Sequence, residues 1–186
     1  MERTPKQPQD RHAVPQTVPR DDFEAVVARI KEPYRAMMVL QRALGMRPGE
    51  VCRLRFGDVR LDTGELVTPR DGKTGERRLY FDANGRCAHA LRDWIAIRPG
   101  GPFMFGDGQP IRVNTYHVAI TRWCERLGVA AFKPYALRHT YACEMMDSGQ
   151  PIASISAALG HKNVLTTCAF YLHPNPDIMR RMNAGR

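Results

Sequence analysis

The sequence predicts a mainly α-helical domain with one small antiparallel β-sheet, an α+β fold. In several stretches, apolar residues recur at helical spacing after a proline or an aspartate and stop at a glycine. One glycine-bearing stretch, 71–78, separates two short segments of strand-like composition. With 186 residues, the chain is long enough for one hydrophobic core and too short for two ordinary domains.

The predicted elements begin after residue 19. Residues 1–19 are rich in proline, glutamine and charge, so we expect a flexible tail or interdomain linker there. Asp21 and Asp22 are typical of a helix start and precede a stretch with one apolar face. That face comprises Phe23, Val26, Val27 and Ile30.

Two further helices are predicted before the sheet. Pro33 interrupts the first helix, and a strongly apolar second helix covers 34–44 until Gly45 ends it. A third helix is expected to start at Arg47, directly after a glycine and a methionine. The residues spaced for burial on this third helix are Val51, Leu54 and Val59.

The sheet is predicted as a hairpin of strands 65–68 and 77–81, with Lys73 at the tip of the turn. A loop is expected at 100–109, after a helix that Pro99 stops. The remaining predicted helices cover 87–97, 114–127, 151–159 and 163–171, and the segment 133–147 holds Arg138.

Charge and cysteine content narrow the functional classes. Lysine and arginine total 28 against 19 aspartates and glutamates, and the resulting net charge of +9 favours a polyanionic partner. The five cysteines are odd in number, scattered, and lack a Cys-x-x-Cys pair, which argues against a disulfide framework or a zinc site. No signal peptide and no run of about 18 apolar residues appears, so secretion and membrane spanning are disfavoured.

Candidate chemistry concentrates in the C-terminal third of the chain. Tyr135, Arg138 and His139 lie in one segment, His161 follows a glycine, and Tyr171 comes last. A guanidinium can bind two phosphate oxygens, an imidazole can add a hydrogen bond, and a phenol can act as nucleophile. These residue types in this order indicate phosphoryl transfer, a chemistry that needs no nucleotide cofactor or metal here.

Four short segments together resemble the tyrosine recombinases, the phage-integrase family. Gly45-Met46-Arg47-Pro48-Gly49-Glu50 is similar to that family's Gly-Leu-Arg-x-x-Glu box, with methionine in place of leucine. Lys73 matches the hairpin lysine, Leu137-Arg138-His139-Thr140 the second arginine box, and Leu159-Gly160-His161 the third box. The resemblance extends from about Val18 to about Pro174 and implies a tyrosine recombinase catalytic-domain fold.

The resemblance also implies roles for the site residues. Arg47 and Arg138 would bind the nonbridging oxygens of a phosphodiester in its transition state. Lys73 would protonate the leaving 5′ oxygen. His161 would contact a phosphate oxygen or orient the nucleophile, and Tyr171 would attack to form a 3′-phosphotyrosyl link. His139 is expected to support its neighbours through hydrogen bonds within the domain.

Two positions depart from the family pattern. Tyr135 stands where the family usually has histidine, and a phenol with a reference pKa near 10 is a poor general base at neutral pH. The family nucleophile usually lies nine residues after the third-box histidine, where this chain has Phe170, whereas Tyr171 lies ten after His161. In a regular helix, one residue turns the side chain by about 100°.

The sequence therefore predicts the catalytic domain of a site-specific DNA recombinase or integrase at 20–174, with a C-terminal tail at 175–186. We expect double-stranded DNA as partner, self-association as a tetramer on DNA, no cofactor, and a cytoplasmic, nucleoid-associated location. Two alternatives stay open: nicking and religation of the type IB topoisomerase kind, and a catalytically impaired DNA-binding relative. The chain would be either a catalytic fragment or a natural minimal form.

Overall fold

The computed structural model describes residues 16–69 and 75–171, with side chains described up to residue 168. The helices are α1 (Arg20–Val27), α2 (Tyr34–Leu44), α3 (Pro48–Cys52), α4 (Arg86–Ile97), α5 (Val113–Leu127), α6 (Pro134–Asp147), α7 (Ile152–Leu159) and α8 (Val164–Tyr171). The strands are β1 (Val59–Arg60), β2 (Glu65–Val67) and β3 (Arg78–Tyr80). The predicted fold class, mainly helical with a small antiparallel sheet, is confirmed.

The core is built around α2, which packs between α4 and α6. Met37, Met38 and Leu40 of α2 are fully buried, as the apolar composition of this helix predicts. Tyr116 of α5 is also fully buried, and its hydroxyl donates to Oε1 of Gln41 at 2.9 Å, so neither polar group is left unpaired. A smaller cluster between α6 and α7 comprises Ala142, Ile155 and Leu159.

The sheet is a three-stranded antiparallel meander in the order β1-β2-β3. The predicted hairpin is confirmed, with Leu66 of β2 opposite Leu79 of β3 and both side chains buried toward the core. Strand β1 escaped prediction because two residues carry too little alternation to recognise. The tip of the hairpin at 70–74, including Lys73, lies outside the described residues.

The third helix is shorter than predicted. Helix α3 ends at Cys52, so the expectation that Leu54 and Val59 extend its buried face was wrong. Leu54 is fully buried, but its carbonyl accepts a hydrogen bond from the Met104 backbone at 2.7 Å. Val59 belongs to β1. The apolar residues of this irregular segment are spaced like the buried face of a helix, and this spacing led to the wrong prediction.

The N-terminal boundary also differs from the prediction. Residues 16–19 were expected in the tail, but Val18 is 3% exposed and packs into the core. The backbone N–H of Val18 donates to Oγ1 of Thr140 at 2.8 Å, and the Gln16 side chain donates to the carbonyl of Ala131 at 3.2 Å. Within the described ranges, every helix is too short or too polar to cross a bilayer.

Candidate active site

Arg138 of α6 has a buried guanidinium that lies between the ends of two other helices. Its Nη1 donates to the carbonyl of Gly45 at 2.8 Å, and its Nη2 donates to the carbonyl of Leu159 at 2.7 Å. Both carbonyls belong to helix C-termini, of α2 and α7, where the helix dipole favours a cation. Burial, followed by repulsion from Arg47, lowers the pKa of Arg138 to about 10, so the group stays charged at neutral pH.

Gly45 is required for this arrangement. It ends α2 in the left-handed conformation, with φ of 61°, where residues with a side chain are strained. A Cβ atom at this position would lie 2.3 Å from Cδ1 of Tyr141. The glycine of the first box therefore lets α6 approach closely enough for Arg138 to reach the Gly45 carbonyl.

His161 follows Gly160, the residue that ends α7, and contacts Arg138. Its Nε2 lies 3.1 Å from Nη2 of Arg138, and its Nδ1 lies 2.7 Å from Oγ1 of Thr167. A guanidinium can only donate, so Nε2 is the acceptor and the ring proton is on Nδ1, which donates to Thr167. Burial and then Arg138 and Arg47 lower the pKa of His161 to about 4, which keeps the imidazole neutral at physiological pH.

Arg47 precedes α3 and is held by Glu50, the last residue of the first box. The backbone N–H of Arg47 donates to Oε2 of Glu50 at 2.7 Å, and Nη1 donates to Oε1 at 3.0 Å. Nη2 of Arg47 also reaches the carbonyl of Gly160 at 3.4 Å, which brings the first and third boxes together. The Arg47 side chain is 20% exposed, so a ligand can reach it.

Arg77 completes the cluster and was not identified from the sequence. Its Nη1 and Nη2 donate to Oε1 and Oε2 of Glu50 at 2.7 and 2.8 Å, and its Nε donates to the carbonyl of Ala158 at 3.0 Å. Burial opposes ionisation of Glu50, but hydrogen bonds from Arg77 and Arg47 hold the pKa of this carboxyl below its ordinary value. The only sequence signal for Arg77 is its place directly before β3.

The other predicted residues are placed as follows. Tyr135 lies one turn before Arg138 on α6, is 44% exposed, and has its ring 5.1 Å from that of His139. Burial and then Arg138 lower the pKa of His139 to about 4, so this imidazole is also neutral at physiological pH. Lys73 is outside the described residues. Tyr171 is the last residue of α8, and its side chain is outside them too.

Helix α8 bears on the offset between Phe170 and Tyr171. It is a continuous α-helix from Val164 to Tyr171, so no irregular turn within it absorbs the extra residue. Position 171 nevertheless follows Thr167 by four residues, and position 170 follows it by three. Positions three and four apart lie on one helix face, so both belong to the face of α8 that Thr167 presents to His161.

The assembled residues form a cationic site. Among the residues that the structure describes, Arg47, Arg77 and Arg138 surround one carboxylate, that of Glu50, so this described group carries two net positive charges beside the neutral His161. Such a set suits an oxyanion with several oxygens, because guanidinium groups bind phosphate through paired donors. In residues 16–69 and 75–171, no group of three or more His, Cys, Asp or Glu could hold a metal ion.

Comparison with known proteins gives consistent matches. The profile of the phage integrase family matches residues 16–177. Tyrosine recombinase XerC of Xylella fastidiosa (strain 9a5c) is 35% identical over 144 residues, covering 75% of this chain and 48% of that protein. XerC of Vibrio parahaemolyticus (serotype O3:K6, strain RIMD 2210633) is 31% identical over 147 residues, covering 75% of this chain and 46% of that protein. The chain thus spans about half the length of the curated relatives it matches.

Solved structures share the fold at lower sequence identity. The crystal structure of XerA recombinase superposes with a TM-score of 0.76 at 21% identity, covering 93% of this chain and 66% of the other. A lambda integrase dimer bound to a COC′ core site gives a TM-score of 0.67 at 20% identity, covering 83% and 47%. Since the family profile matches most of the residues, including every box that forms the cationic site, the chain belongs to the phage integrase family of tyrosine recombinases.

Proposed function

We propose that this chain is the catalytic part of a site-specific DNA recombinase that cuts and rejoins strands through a 3′-phosphotyrosyl intermediate. The observation that carries the proposal is the convergence of Arg47, Arg138 and His161, three predicted residues from separate boxes, at one positively charged site. The XerC proteins of Xylella fastidiosa and Vibrio parahaemolyticus, both over 30% identical to this chain, are tyrosine recombinases, which supports the same reaction here.

The cluster fits the electronic demand of phosphodiester attack. Negative charge gathers on the nonbridging oxygens as the phosphorus becomes five-coordinate, and fixed cations aimed at those oxygens lower the barrier. Arg138 is fixed by two main-chain carbonyls, so it needs no reorganisation during the reaction. Arg47 is the more accessible guanidinium and would contact the second oxygen.

Tyr171 is the proposed nucleophile and Lys73 the proposed general acid. The Tyr171 oxygen would bond to phosphorus while the bond to the 5′ oxygen breaks, and Lys73 would give that oxygen its proton. Attack by the 5′ hydroxyl on the phosphotyrosyl link would reverse the step without ATP. Positions 170 and 171 share the helix face of Thr167, which contacts His161, but only Tyr171 of the two carries a nucleophilic oxygen, which supports Tyr171.

Tyr135 would complete the reacting group as a hydrogen-bonding residue rather than a general base. Its ring is exposed beside His139, one turn of α6 from Arg138, where a bound phosphate could accept from its hydroxyl. The pKa values of His161 and His139 are both lowered to about 4, which makes these imidazoles weak bases, so the proton that leaves the nucleophile would pass to water or to another residue.

The proposed partner is double-stranded DNA, bound mainly through phosphates. A net charge of +9 supports this, since neutralising phosphates releases counterions and makes affinity fall steeply with salt. We propose that the catalytic domain ends at about 174 and, because Val18 packs into the core, begins a few residues before 20. We also propose self-association as a tetramer on DNA. Such an enzyme would work at the nucleoid in the cytoplasm.

Two alternatives make different predictions. Nicking and religation of the type IB topoisomerase kind would relax supercoiled plasmid as a monomer and give no four-way junction. A catalytically impaired relative would bind DNA and form no covalent product. The similarity to named recombinases favours the first proposal over both.

A nicked suicide duplex that carries the recognition site tests the proposal. Such DNA loses a short fragment after cleavage, so the covalent protein–DNA adduct accumulates and can be seen on a denaturing gel. We expect an adduct with the wild-type chain and none with Tyr171→Phe. Sites can first be selected from a random DNA library by affinity. Absence of any adduct on the selected sites would favour the impaired relative.

A further inference from the structure

Glu50 is shared unequally by two arginines. Arg77 binds both carboxylate oxygens with parallel donors at 2.7 and 2.8 Å, whereas the Arg47 guanidinium donates to one of these two oxygens, at 3.0 Å. The carboxylate is 3% exposed, so water contributes little to balancing its charge. A bidentate guanidinium is the stronger partner of a carboxylate, and Arg77 therefore supplies most of the compensation for the Glu50 charge.

This division of charge matters for Arg47. A buried carboxylate paired with Arg47 alone would offset its positive charge and orient its donors inward, away from a bound phosphate. With Arg77 present, the group of Arg47, Arg77 and Glu50 keeps one net positive charge. Arg47 is also the more exposed arginine of the two, with 20% of its side chain accessible against 12% for Arg77.

Arg77 also links three elements of the site. Its backbone pairs with Thr68 at the end of β2, through bonds of 3.0 Å to the Thr68 hydroxyl and 2.9 Å from the Thr68 N–H. Its side chain joins α3 through Glu50 and α7 through the carbonyl of Ala158. The guanidinium passes so close to the turn before His161 that a Cβ on Gly160 would lie 3.1 Å from its Cδ.

We infer that Arg77 is a positioning residue for strand cleavage, one that occupies the Glu50 carboxylate so that Arg47 can present its charge and donors to the scissile phosphate. The inference rests on the proposed function and adds to it a residue that would not touch the phosphate itself. It assigns to Arg77 an effect on the chemical step, delivered through Glu50 and Arg47.

The first test compares Arg77→Gln with Arg78→Gln. Arg78 is the next residue, carries the same charge, and is 63% exposed in a pair with Glu65, which makes it a matched control. With single-turnover cleavage of the suicide duplex at saturating protein, we expect Arg77→Gln to lower the rate by about 100-fold with little change in DNA affinity. Arg78→Gln should stay within about threefold of wild type. Equal rates for the two variants would overturn the inference.

The second test distinguishes charge compensation from a purely structural link. Arg77→Gln leaves the Glu50 carboxylate buried beside Arg47 alone, and adding Glu50→Gln removes that carboxylate. We expect the double variant to cleave about tenfold faster than Arg77→Gln, an interaction of the size found for contacting residues. A structural link alone predicts no recovery, so a double variant as slow as Arg77→Gln, or slower, would overturn the inference. The double variant has no uncompensated buried charge. It should therefore fold and give a measurable cleavage rate even if Arg77→Gln folds poorly.

A readout in the DNA-free protein separates failure of the inference from failure of the proposed function. The ¹H–¹⁵N resonance of the Arg47 Nε–H should shift in Arg77→Gln and return toward its wild-type position in the double variant. If the wild-type chain forms no adduct, the proposed function fails, and this resonance still decides whether Arg77 governs Arg47. An Arg47 resonance that does not respond to Arg77→Gln would overturn the inference.

Discussion

The hydroxyl of Thr167 lies 2.7 Å from Nδ1 of His161, which connects the helix that ends at Tyr171 to the imidazole beside Arg138. Thr167 is fully buried, so its hydroxyl is held beside the ring by the packing around it. This bond fixes the tautomer in which Nε2 accepts from Arg138. Helix α8 and the buried guanidinium of Arg138 are therefore joined by one chain of hydrogen bonds.

Thr167→Val should slow cleavage by about tenfold, because the ring loses the bond that sets its orientation and tautomer. The matched control is Thr166→Val on the exposed side of α8, which should leave the rate unchanged. Single-turnover adduct formation on the suicide duplex measures both variants. Equal rates for the two would show that the Thr167 hydroxyl does not orient His161.

Gly45→Ala should destabilise the protein more than Gly128→Ala, although both glycines end helices with φ near 60° (61° and 66°). The left-handed conformation costs an alanine about 1–2 kcal/mol at either position. Only at Gly45 would the new Cβ meet a ring, 2.3 Å from Tyr141, whereas nothing lies within 4 Å at Gly128. Urea denaturation measures the difference, and similar midpoints would contradict the packing argument.

Acid should destabilise the fold as the pH falls below about 6.5, through two histidines. The pKa of His139 and that of His161 are each lowered from 6.5 to about 4, so from pH 6.5 down to about 4 the unfolded chain binds more protons than the folded one. The contribution of these two histidines to the free energy of unfolding is fully present above pH 6.5, and it is lost as the pH falls through this window. Urea midpoints at about pH 7 and about pH 5 should differ less for His139→Gln than for the wild type.

The control for this prediction is His89→Gln, on the exposed side of α4, which should keep the wild-type pH dependence. If His139→Gln loses as much stability on acidification as His89→Gln does, His139 does not contribute to acid sensitivity. His161→Asn offers a second check on the site itself, with the same expected reduction in slope.

Sulfate should stabilise the DNA-free protein beyond the effect of sodium chloride at equal ionic strength, because the cluster around Glu50 keeps two net positive charges. Binding to the folded state raises Tm by about 2–4 °C for each kcal/mol of linked free energy in a chain of this size. Arg47→Gln should reduce the sulfate-specific rise, which differential scanning calorimetry can measure. An equal rise in the variant would place the anion elsewhere.

The register of the nucleophile can be tested by exchanging two neighbours. Tyr171→Phe should abolish the adduct, and moving the phenol one position earlier, in Phe170→Tyr with Tyr171→Phe, should not restore it. One residue on α8 turns the side chain by about 100°, so a phosphate aligned with a phenol at position 171 should not be aligned with a phenol at position 170. Mass spectrometry of the adduct peptide identifies the linked residue, and an adduct at position 170 would refute the assignment.

Much of the fold could be predicted because local signals and tertiary structure agree. Helix α2 covers 34–44 as predicted, since Pro33 and Gly45 bound one uninterrupted apolar stretch. The end of α3 could not be predicted, because the irregular residue Leu54 is buried at the spacing of a helix. The local sequence does not show that the loop containing Met104 binds the Leu54 segment.

The candidate site shows the same difference between residues that local sequence identifies and residues whose contacts depend on tertiary structure. The boxes with Arg47, Arg138 and His161 identified three residues that the structure brings together. Arg77 was missed because its pairing with Glu50 joins positions 27 residues apart and depends on how the hairpin folds back on α3. The contact between Thr167 and His161 was not predicted, because the sequence does not show which group a threonine hydroxyl will bind.

Main-chain carbonyls anchor the arginines of this site: those of Gly45 and Leu159 bind Arg138, and those of Ala158 and Gly160 bind Arg77 and Arg47. Substitution at positions 158 and 159 changes a side chain and leaves the carbonyl in place, so these anchors can survive extensive evolutionary drift. Among distant relatives, correlated substitution should therefore be weak between the arginines and these positions. It should be concentrated on Glu50 and its partners Arg77 and Arg47, because in these pairs both partners are side chains.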